Sequence, residues 1–393
     1  MDPRRNPYSP GAGTPPPELS GRDELLERAA IALDRIAAHR PARSLILYGL
    51  RGVGKTVLLN RFRLAAEERR LTPVRIEAPE DRSLPALLAP SLRASLLRLQ
   101  RGAARRAAVQ QAWRALAGFA RALKAKYRDI EVSLDGPAEA GVADSGDLEL
   151  DLVELMGAVG RAAAEERTAI VFLIDELQYV HQDQLAPLIR ALHSATQDEL
   201  PVALFAAGLP QVLGQMGRAK SYAERLFEFA QVDRLSDDAA RAALCVPAAH
   251  EGVDLAEGAV AEVLAQTRGY PYFLQEWGKH CWDVAQASPI TLADAQAATE
   301  RAQAELDASF FRVRFDRLTP KERSYLRAMA ELGDGPHRSG DIARLLGVKV
   351  TSVAKTRSDL IGKGVIYSPT HGDTAFTVPL FAGFMKRIMP QGG

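Results

Sequence analysis

A glycine-rich turn followed by lysine and threonine is the segment whose residue types and spacing point most directly to chemistry. Residues 49–56 read Gly-Leu-Arg-Gly-Val-Gly-Lys-Thr and fit the pattern G-x-x-x-x-G-K-[ST]. Glycines let main-chain N–H groups converge on phosphate oxygens, and a helix that starts here directs the positive end of its dipole at the anion. Lys55 would reach the β- and γ-phosphates, and the Thr56 hydroxyl would ligate Mg²⁺. The predicted nucleotide-binding residues are Gly49, Gly52, Val53, Gly54, Lys55, Thr56 and Val57.

Two carboxylates follow a second apolar segment. Residues 169–174 read Ala-Ile-Val-Phe-Leu-Ile, and Asp175 and Glu176 come directly after them. Two acids at the end of a buried strand are costly unless a cation or a donor lies there. Asp175 is therefore the candidate that holds Mg²⁺ with Thr56, and Glu176 is the candidate general base for the attacking water, so that both join Lys55 as predicted catalytic residues. The alternative is a helix N-cap followed by a first-turn acid.

Five short apolar segments alternate with helical patterns and would position these residues. They cover residues 44–48, 72–76, 169–174, 201–206 and 227–232. Apolar strands that alternate with helices indicate a parallel sheet covered by helices on both faces. The predicted fold class is therefore an α/β P-loop NTPase, followed by a helical lid and a C-terminal winged helix-turn-helix.

Composition divides the chain into a tail and three predicted domains. Residues 1–17 contain six prolines and two glycines and predict a flexible tail. The P-loop domain would span residues 18–235, with basic and acidic segments inserted near 80–155. The lid would span residues 236–315, and the winged helix 318–390. Thr319, Pro320 and Glu322 give the capping-box signal of the helix that begins the last domain.

The span from Leu19 to about Trp282 resembles a AAA+/STAND-type P-loop ATPase. It is most similar to the prokaryotic relatives of the archaeal and eukaryotic replication-initiator ATPases. The matching segments are residues 19–24, the P-loop, residues 174–179 and the Gly-Tyr-Pro at 269–271. The resemblance implies that ATP and Mg²⁺ are the cofactors, and that Gly21 and Arg22, with Leu19, lie near the nucleotide base.

The same resemblance implies roles for two further segments. Gly269 and Pro271 would approach the adenine, whereas the alternative for them is a simple helix-breaking turn. Arg225 falls where a trans-acting arginine finger would lie, and its alternative is a surface ion pair. The chain departs from the family at the fourth strand, which ends in Ala206 and Ala207 rather than in a polar residue that orients water. This departure favours a slowly hydrolysing switch over a motor.

The C-terminal segment has the pattern of a winged helix-turn-helix. Helices are predicted over residues 320–331, 339–346 and 350–362, and a hairpin over 365–367 and 375–378 around His371. From residue 318 onward there are 11 basic and 6 acidic residues, which favours contact with double-stranded DNA. The alternative is a winged helix that contacts protein. The predicted DNA-binding residues are Thr351, Ser352, Lys355, Thr356, Arg357 and Lys363.

A basic and an acidic segment lie side by side in the predicted insertion. Residues 93–128 carry 10 basic residues and no acid, and residues 129–166 carry 11 acids against Arg161. The two segments either neutralise one another across the surface or form a binding insertion for DNA or a partner. An apolar stripe at helical spacing, which includes Leu116, Phe119 and Leu123, predicts a helix within the basic segment.

Overall composition narrows the class of protein. No apolar run approaches the roughly 20 residues of a membrane span, no signal sequence is visible, and two cysteines give no disulfide framework, so we expect a cytoplasmic protein without membrane contact. The net charge of +1 does not exclude DNA binding, because it sums regions of opposite sign. We predict an ATPase that acts as an ATP-dependent DNA-binding switch, in which nucleotide sets either the lid angle or self-association into a homo-oligomer. The alternatives are a STAND-type signalling ATPase with a protein partner, and a winged-helix regulator with an inactive ATPase fold.

Overall fold

The computed structural model describes residues 1–11, 13–103, 107–124, 127, 142–370 and 372–390. By its contacts the chain divides into two compact bodies. The α/β body comprises Asp23–Tyr48 and Lys55–Gln231, and the C-terminal body comprises Met1–Arg22, Gly49–Gly54 and Val232–Gly393. The phosphate loop up to Gly54 therefore groups with the C-terminal body, whereas Lys55 groups with the sheet.

The α/β body contains a five-stranded parallel sheet. Its strands are β1 Ser44–Tyr48, β2 Thr72–Glu77, β3 Ile170–Asp175, β4 Val202–Gly208 and β5 Phe227–Gln231. They lie in the order β2-β3-β4-β1-β5. Its helices are α1 Asp23–Ala37, α2 Lys55–Glu68, α3 Leu84–Ala103, α4 Ala107–Leu123, α5 Leu148–Glu165, α6 Gln182–Gln197, α7 Val212–Ala219 and α8 Ala223–Leu226, with a 3-10 turn at Leu177–Tyr179. The predicted α/β fold with a parallel sheet is confirmed, and every strand lies within two residues of its predicted bounds.

The central strands are buried on both faces, which explains their continuous apolar sequences. All seven residues of β4 are buried. Helix α2 packs on this strand, and the rings of Phe62 and Phe205 lie 5.4 Å apart. This packing fixes the start of α2, where Lys55 and Thr56 lie, relative to the carboxyl ends of β3 and β4.

Helices α3, α4 and α5 form the insertion between β2 and β3. The predicted apolar stripe of α4 is buried in the same core as the sheet, through Leu116, Phe119 and Leu123. Among the acids with described partners, Glu149 pairs with Lys220 (3.0 Å), and Glu165 accepts a hydrogen bond from the main chain at the start of α4 (3.2 Å). Part of the charge prediction lies outside the described residues, namely Arg105, Arg106, Lys126, Arg128, Asp129, Glu131, Asp135 and Glu139.

The C-terminal body is helical with one small sheet. Its helices are α9 Asp237–His250, α10 Glu257–Thr267, α11 Pro271–Val284, α12 Leu292–Ala308, α13 Phe310–Asp316, α14 Pro320–Glu331, α15 Ser339–Leu345, α16 Val350–Gly362 and α17 Phe381–Ile388. Its strands are β6 His337–Arg338, β7 Ile366–Tyr367 and β8 Asp373–Phe376, antiparallel in the order β6-β8-β7. The predicted helices and hairpin are present, and this arrangement resembles a winged helix. His371, at the predicted hairpin tip, lies outside the described residues.

The helix that begins the winged helix starts where the sequence predicts. The Thr319 side chain accepts from the Glu322 main chain, the Glu322 side chain accepts from the Thr319 main chain, and Pro320 takes the first helical position. Sequence patterns did not predict β6 or α17. Two-residue strands carry no periodicity, and α17 is recognisable only by the partners of its aromatic residues.

One apolar core runs through the lid and the winged helix, which the sequence divides into separate domains. Phe311 of the lid stacks on Phe384 of α17, with ring centroids 5.3 Å apart, and Phe315 packs edge-on to the same ring at 5.9 Å. Phe381 lies 5.8 Å from Phe311. Because these rings join α13 to α17, the lid and the winged helix form one packed unit.

The first nine residues pack on the lid, and this corrects the prediction of a flexible tail for residues 1–17. Tyr8 is 4% exposed, and its hydroxyl donates to the carbonyl of Leu244. The Trp282 indole donates to the carbonyl of Asp2 (2.9 Å). Proline and glycine content predicts a mobile segment only when no apolar side chain of that segment packs on the fold. Here Tyr8 is such a side chain. None of the helices in the described part of the chain is both long and apolar enough to span a bilayer.

Candidate functional site

Residues 49–54 form a tight loop whose main chain is held by the C-terminal body. A Cβ at Gly49 would lie 2.0 Å from the carbonyl oxygen of Val232, so only glycine fits there. Gly54 has φ of +95°, in the region that favours glycine. The N–H of Arg51 donates to the carbonyl of Thr377 (2.9 Å), and the carbonyl of Gly52 accepts from the N–H of Tyr272 (3.1 Å). The loop is therefore hydrogen-bonded to both the winged helix and the lid.

Arg22, which the resemblance places near the nucleotide base, contacts the main chain of this loop. It is 8% exposed, and its guanidinium donates to the carbonyls of Val53 (3.1 Å) and Asp233 (2.5 Å). Burial lowers the pKa of Arg22, and the Asp233 carboxylate opposes that shift. Gly21 packs against Ala239. These contacts give Arg22 a role in shaping the loop that the sequence alone did not indicate.

Pro271 takes the first position of helix α11, with Tyr270 as N-cap. The segment forms the turn between helices α10 and α11 and brings the N–H of Tyr272 to the loop, and its approach to adenine stays a prediction. The Tyr272 ring stacks on Phe310 at 4.7 Å, and burial, together with the Glu276 carboxylate, raises its pKa to about 12. Val53 and Val57 are buried apolar side chains, so only their main-chain groups remain for a ligand.

The α/β body brings together the predicted magnesium ligands. The hydroxyl of Thr56 donates to Oδ2 of Asp175 (2.6 Å), and the N–H of Glu176 donates to Oδ1 of the same carboxylate (2.8 Å). Burial raises the pKa of Asp175, and the Glu176 carboxylate adds to the rise, while the Thr56 hydroxyl and the Lys55 ammonium oppose it. A carboxylate that is costly to bury and next to a hydroxyl oxygen fits a hard divalent cation.

Glu176 has an unusual main-chain conformation and a partner that sequence reasoning missed. Its φ of 53° and ψ of 39° lie in the left-handed region, which residues with a side chain rarely adopt. Gln178 donates through Nε2 to the Glu176 carboxylate and accepts through Oε1 from the N–H of Leu209 (2.9 Å). The available sequence signal was an amide two residues after the acid, combined with a fourth strand that lacks a polar end.

Arg225 lies exposed on the short helix α8. Its side chain makes no ion pair with a residue of the described ranges, and its carbonyl accepts from Arg43 (3.3 Å). The surface ion pair proposed as its alternative is therefore absent from this part of the chain. Its role as an arginine finger stays a prediction.

The structure divides the predicted DNA-binding residues into two groups. Thr351, Ser352 and Lys355 are exposed on α16, and Thr356 is half-buried on the same helix. These four residues remain available on the helix that a winged helix presents to DNA.

Arg357 and Lys363 contact the protein itself, which corrects their prediction as exposed residues. Arg357 donates to the Thr374 hydroxyl (3.0 Å) and to the carbonyl of Asp373 (2.9 Å), and so fastens strand β8 to helix α16. Lys363 pairs at 2.8 Å with Glu322, whose side chain is 5% exposed. Both partners are distant in sequence, so residue type and helical spacing gave no sign of them.

One group of described side chains outside this site has the donor types of a metal centre. Glu276, His280 and Glu305 place their ligand atoms within 4.8 Å of one another. Nε2 of His280 lies 3.1 Å from the Glu305 carboxylate, and Nζ of Lys279 lies 3.2 Å from the same group. Lys279 supplies a positive charge to the Glu305 carboxylate, and we assign no metal to this group.

Two family models match parts of the chain. Residues 18–205 match the AAA ATPase domain, and residues 308–385 match a domain of unknown function (DUF8462). Residues 18–205 are therefore similar to the AAA ATPase domain, a class that binds ATP and Mg²⁺. No curated protein sequence matches the chain.

Solved structures with a similar fold come from archaea and bacteria. The Walker-type ATPase PABY2304 of Pyrococcus abyssi is 16% identical, with a TM-score of 0.61 over 95% of this chain and 97% of that one. The Orc1 protein of Aeropyrum pernix, solved in complex with DNA, is 16% identical, with a TM-score of 0.48 over 95% and 94%. The RuvB Holliday junction branch migration motor of Thermotoga maritima is 15% identical, with a TM-score of 0.45 over 91% and 92%. At this identity the similarity to the Pyrococcus abyssi ATPase concerns the fold alone. The Orc1 and RuvB structures have lower TM-scores and are less similar to the chain.

Proposed function

We propose that this chain binds ATP, hydrolyses it slowly and acts as an ATP-dependent DNA-binding switch. The observation that carries the switch is the hydrogen bond from the Arg51 N–H to the carbonyl of Thr377 (2.9 Å). The loop that would surround phosphate is thereby bonded to the segment that follows strand β8 of the winged helix. A ligand that changes the conformation of the loop acts on that segment as well.

The nucleotide part of the proposal rests on the residues at the start of α2 and the end of β3. Lys55 would neutralise the β- and γ-phosphates, and the loop glycines, which lack a Cβ, would let the phosphates approach the main chain closely. Thr56 and Asp175 would hold Mg²⁺, since their hydroxyl and carboxylate oxygens already converge to 2.6 Å. Glu176 would polarise the attacking water.

Slow hydrolysis follows from the end of strand β4. Ala206 and Ala207 are fully buried and offer no hydroxyl or amide to a water molecule near the γ-phosphate. Electrostatic and orienting groups supply most of the catalysis in phosphoryl transfer, so the loss of one of them lowers kcat without preventing binding.

DNA binding is proposed for the exposed face of α16. Thr351, Ser352 and Lys355 have the residue types that contact phosphates and base edges, and the C-terminal segment from residue 318 is basic. Arg357 would contribute indirectly, because it holds the strand that forms the wing.

The proposal is tested by titrating the full chain with duplex DNA over a series of salt concentrations, with ATP, with ADP and without nucleotide. We expect salt-sensitive binding whose affinity changes about fivefold or more between ATP and ADP, the usual lower range of allosteric coupling. Lys55→Ala should remove the nucleotide effect and leave nucleotide-free binding intact. DNA affinity that is the same in all nucleotide states would contradict the switch.

The second candidate is a STAND-type signalling ATPase whose winged helix contacts protein or inhibits the ATPase. Three exposed apolar residues favour it, Leu345, Val348 and Val350, which are close in sequence between the end of α15 and the start of α16. Apolar side chains gathered on an exposed surface are typical of a protein contact. ATP binding without DNA binding at low salt would select this alternative.

A further inference from the structure

Strand β4 brings no side-chain donor to the carboxyl edge of the sheet. It ends in Ala206, Ala207 and Gly208, and the two alanines are fully buried. Strands β3 and β4 pair in parallel with Ile174 opposite Ala206, so the end of β3 that carries Glu176 lies level with the end of β4. A polar group beside Glu176 must therefore come from another element.

Gln178 supplies that group from the 3-10 turn Leu177–Tyr179. It is 5% exposed, its Nε2 donates to the Glu176 carboxylate, and its Oε1 accepts from the N–H of Leu209 at 2.9 Å. A Cβ at Gly208 would lie 3.0 Å from the same Oε1. The amide thus fills the space beside the end of β4 and joins it to Glu176.

The amide of Gln178 fits in one orientation only. If it were flipped, its NH₂ group would face the N–H of Leu209 and its oxygen would face the Glu176 carboxylate, so both contacts would become repulsive. The carbonyl of Gln178 also accepts from Nε2 of Gln215 (3.0 Å), a bond that does not involve the amide. A buried amide with both ends bonded holds the acid in a defined position.

Glu176 needs such a partner because its main chain lies in the left-handed region, with φ of 53°. Surrounding contacts must hold a non-glycine residue in that conformation, and residues held this way are concentrated at functional sites. The hydrogen bond from Gln178 acts on the side chain of the same residue.

We propose that Gln178 is a positioning residue for ATP hydrolysis, which holds the Glu176 carboxylate and couples it to the end of β4. The inference rests on the proposed function, in which Glu176 polarises the attacking water. Gln178 acts through Glu176 and not on the phosphate, so it is distinct from a polar residue at the end of the fourth strand that would orient water directly.

The test compares Gln178→Glu and Gln178→Ala with Gln215→Ala in the full chain. Gln178→Glu keeps the shape and the acceptor for Leu209 but loses the donor to Glu176, and Gln215→Ala removes only the bond to the main chain of Gln178. We expect both Gln178 variants to lower kcat about tenfold or more with ATP affinity within about twofold of wild type, since correct general-base geometry contributes far more than this to the rate. Gln215→Ala should keep kcat near the wild-type value.

A second measurement separates positioning from a structural role. If Gln178 acts through Glu176, then Gln178→Ala should cause no further loss of kcat in a Glu176→Gln background. An additive loss in that background, or Gln178 variants with wild-type or higher kcat, would overturn the inference. Failure of the proposed function looks different, because wild type would then not hydrolyse ATP and Lys55→Ala would change nothing.

Discussion

The N–H of Arg51 and the carbonyl of Thr377 are hydrogen-bonded at 2.9 Å, although 326 positions separate them in the chain. The first residue lies in the phosphate loop, and the second directly follows strand β8 of the winged helix. Tyr272 of the lid donates to the next loop residue, Gly52 (3.1 Å). Both parts of the C-terminal body therefore contact the loop at adjacent residues.

Hydrogen exchange tests the coupling between loop and wing. Addition of ATP and Mg²⁺ should change the exchange of amides near Thr377 by about fivefold or more, because the loop carbonyls and N–H groups rearrange around phosphate. Lys55→Ala should show no change on the same addition. A response confined to residues near Thr56 and Asp175 would argue against coupling.

Asp175→Asn should separate stability from ligand binding. Burial raises the pKa of Asp175, so ionisation of this carboxyl costs more in the ligand-free folded protein than in the unfolded chain. The free energy of unfolding should then fall as pH rises from the ordinary pKa to the raised pKa of this carboxyl. Above the raised pKa the loss of stability is complete. At neutral pH the variant should therefore have a higher Tm than wild type without nucleotide.

In the presence of Mg²⁺ the same variant should bind ATP about 10- to 100-fold more weakly, since a charge-assisted contact to the metal is lost. Calorimetry and thermal unfolding with and without Mg²⁺-ATP measure both effects. Asp198→Asn, at an exposed carboxylate after α6, should change neither. An unchanged or lower Tm for Asp175→Asn would mean that the buried carboxylate does not destabilise the ligand-free protein.

Lys355 and Lys363 should behave oppositely although both belong to the predicted DNA-binding set. Lys355→Ala should lower DNA affinity and reduce the slope of log affinity against log salt by about 0.9, the value for one phosphate contact, with no change in stability. Lys363→Ala should leave that slope unchanged. It should lower the free energy of unfolding by about 1–3 kcal/mol, because the buried Glu322 carboxylate loses its cation. Equal effects of the two variants on the slope would contradict the assignment.

The Lys363 effect should depend on pH. Burial alone would raise the pKa of Glu322, but hydrogen bonds from Lys363 and from Thr319 outweigh it and hold the pKa below its ordinary value. The pair therefore stabilises the fold above the unfolded-state pKa of this carboxyl, and the contribution is lost as pH falls through the folded-state pKa. Denaturation curves of wild type and Lys363→Ala should converge in acid.

Tyr8 should contribute to the stability of the lid. Tyr8→Ala should cost about 3–5 kcal/mol, as expected for a fully buried aromatic side chain, whereas Ser9→Ala, at an exposed side chain, should be neutral. Gly278→Ala should also destabilise, because a Cβ there would lie within 2.8 Å of the Tyr8 ring. In the Tyr8→Ala background that second cost should disappear, and chemical denaturation of the double variant measures it.

Most of the fold could be predicted from local patterns in the sequence. The strands, the phosphate loop and the capping box of Thr319 and Glu322 depend on neighbours within a few residues, and all are present at or near the predicted positions. The same holds for the helix that carries Lys355. Each of these features needs only its own segment of chain to be recognised.

The predictions that failed depend on contacts between distant residues. Tyr8 packs on Gly278, Lys363 pairs with Glu322, and the fold that brings them together cannot be read from composition or helical spacing. Gln178 escaped notice for a related reason. Its role becomes visible only when strand β4 lies beside β3 and leaves room for an amide.

The grouping of residues 49–54 with the lid and wing affects how loop variants are interpreted. A bulky side chain at Gly49 would displace the carbonyl of Val232, and a change at Gly52 would disturb the turn bonded to Tyr272. Such variants would detach the loop from its contacts within the C-terminal body as well as weaken phosphate binding, so that their effect could not be assigned to lost nucleotide alone. Lys55 groups with the sheet. Substitution at this position is therefore the way to separate lost phosphate binding from lost loop contacts genetically.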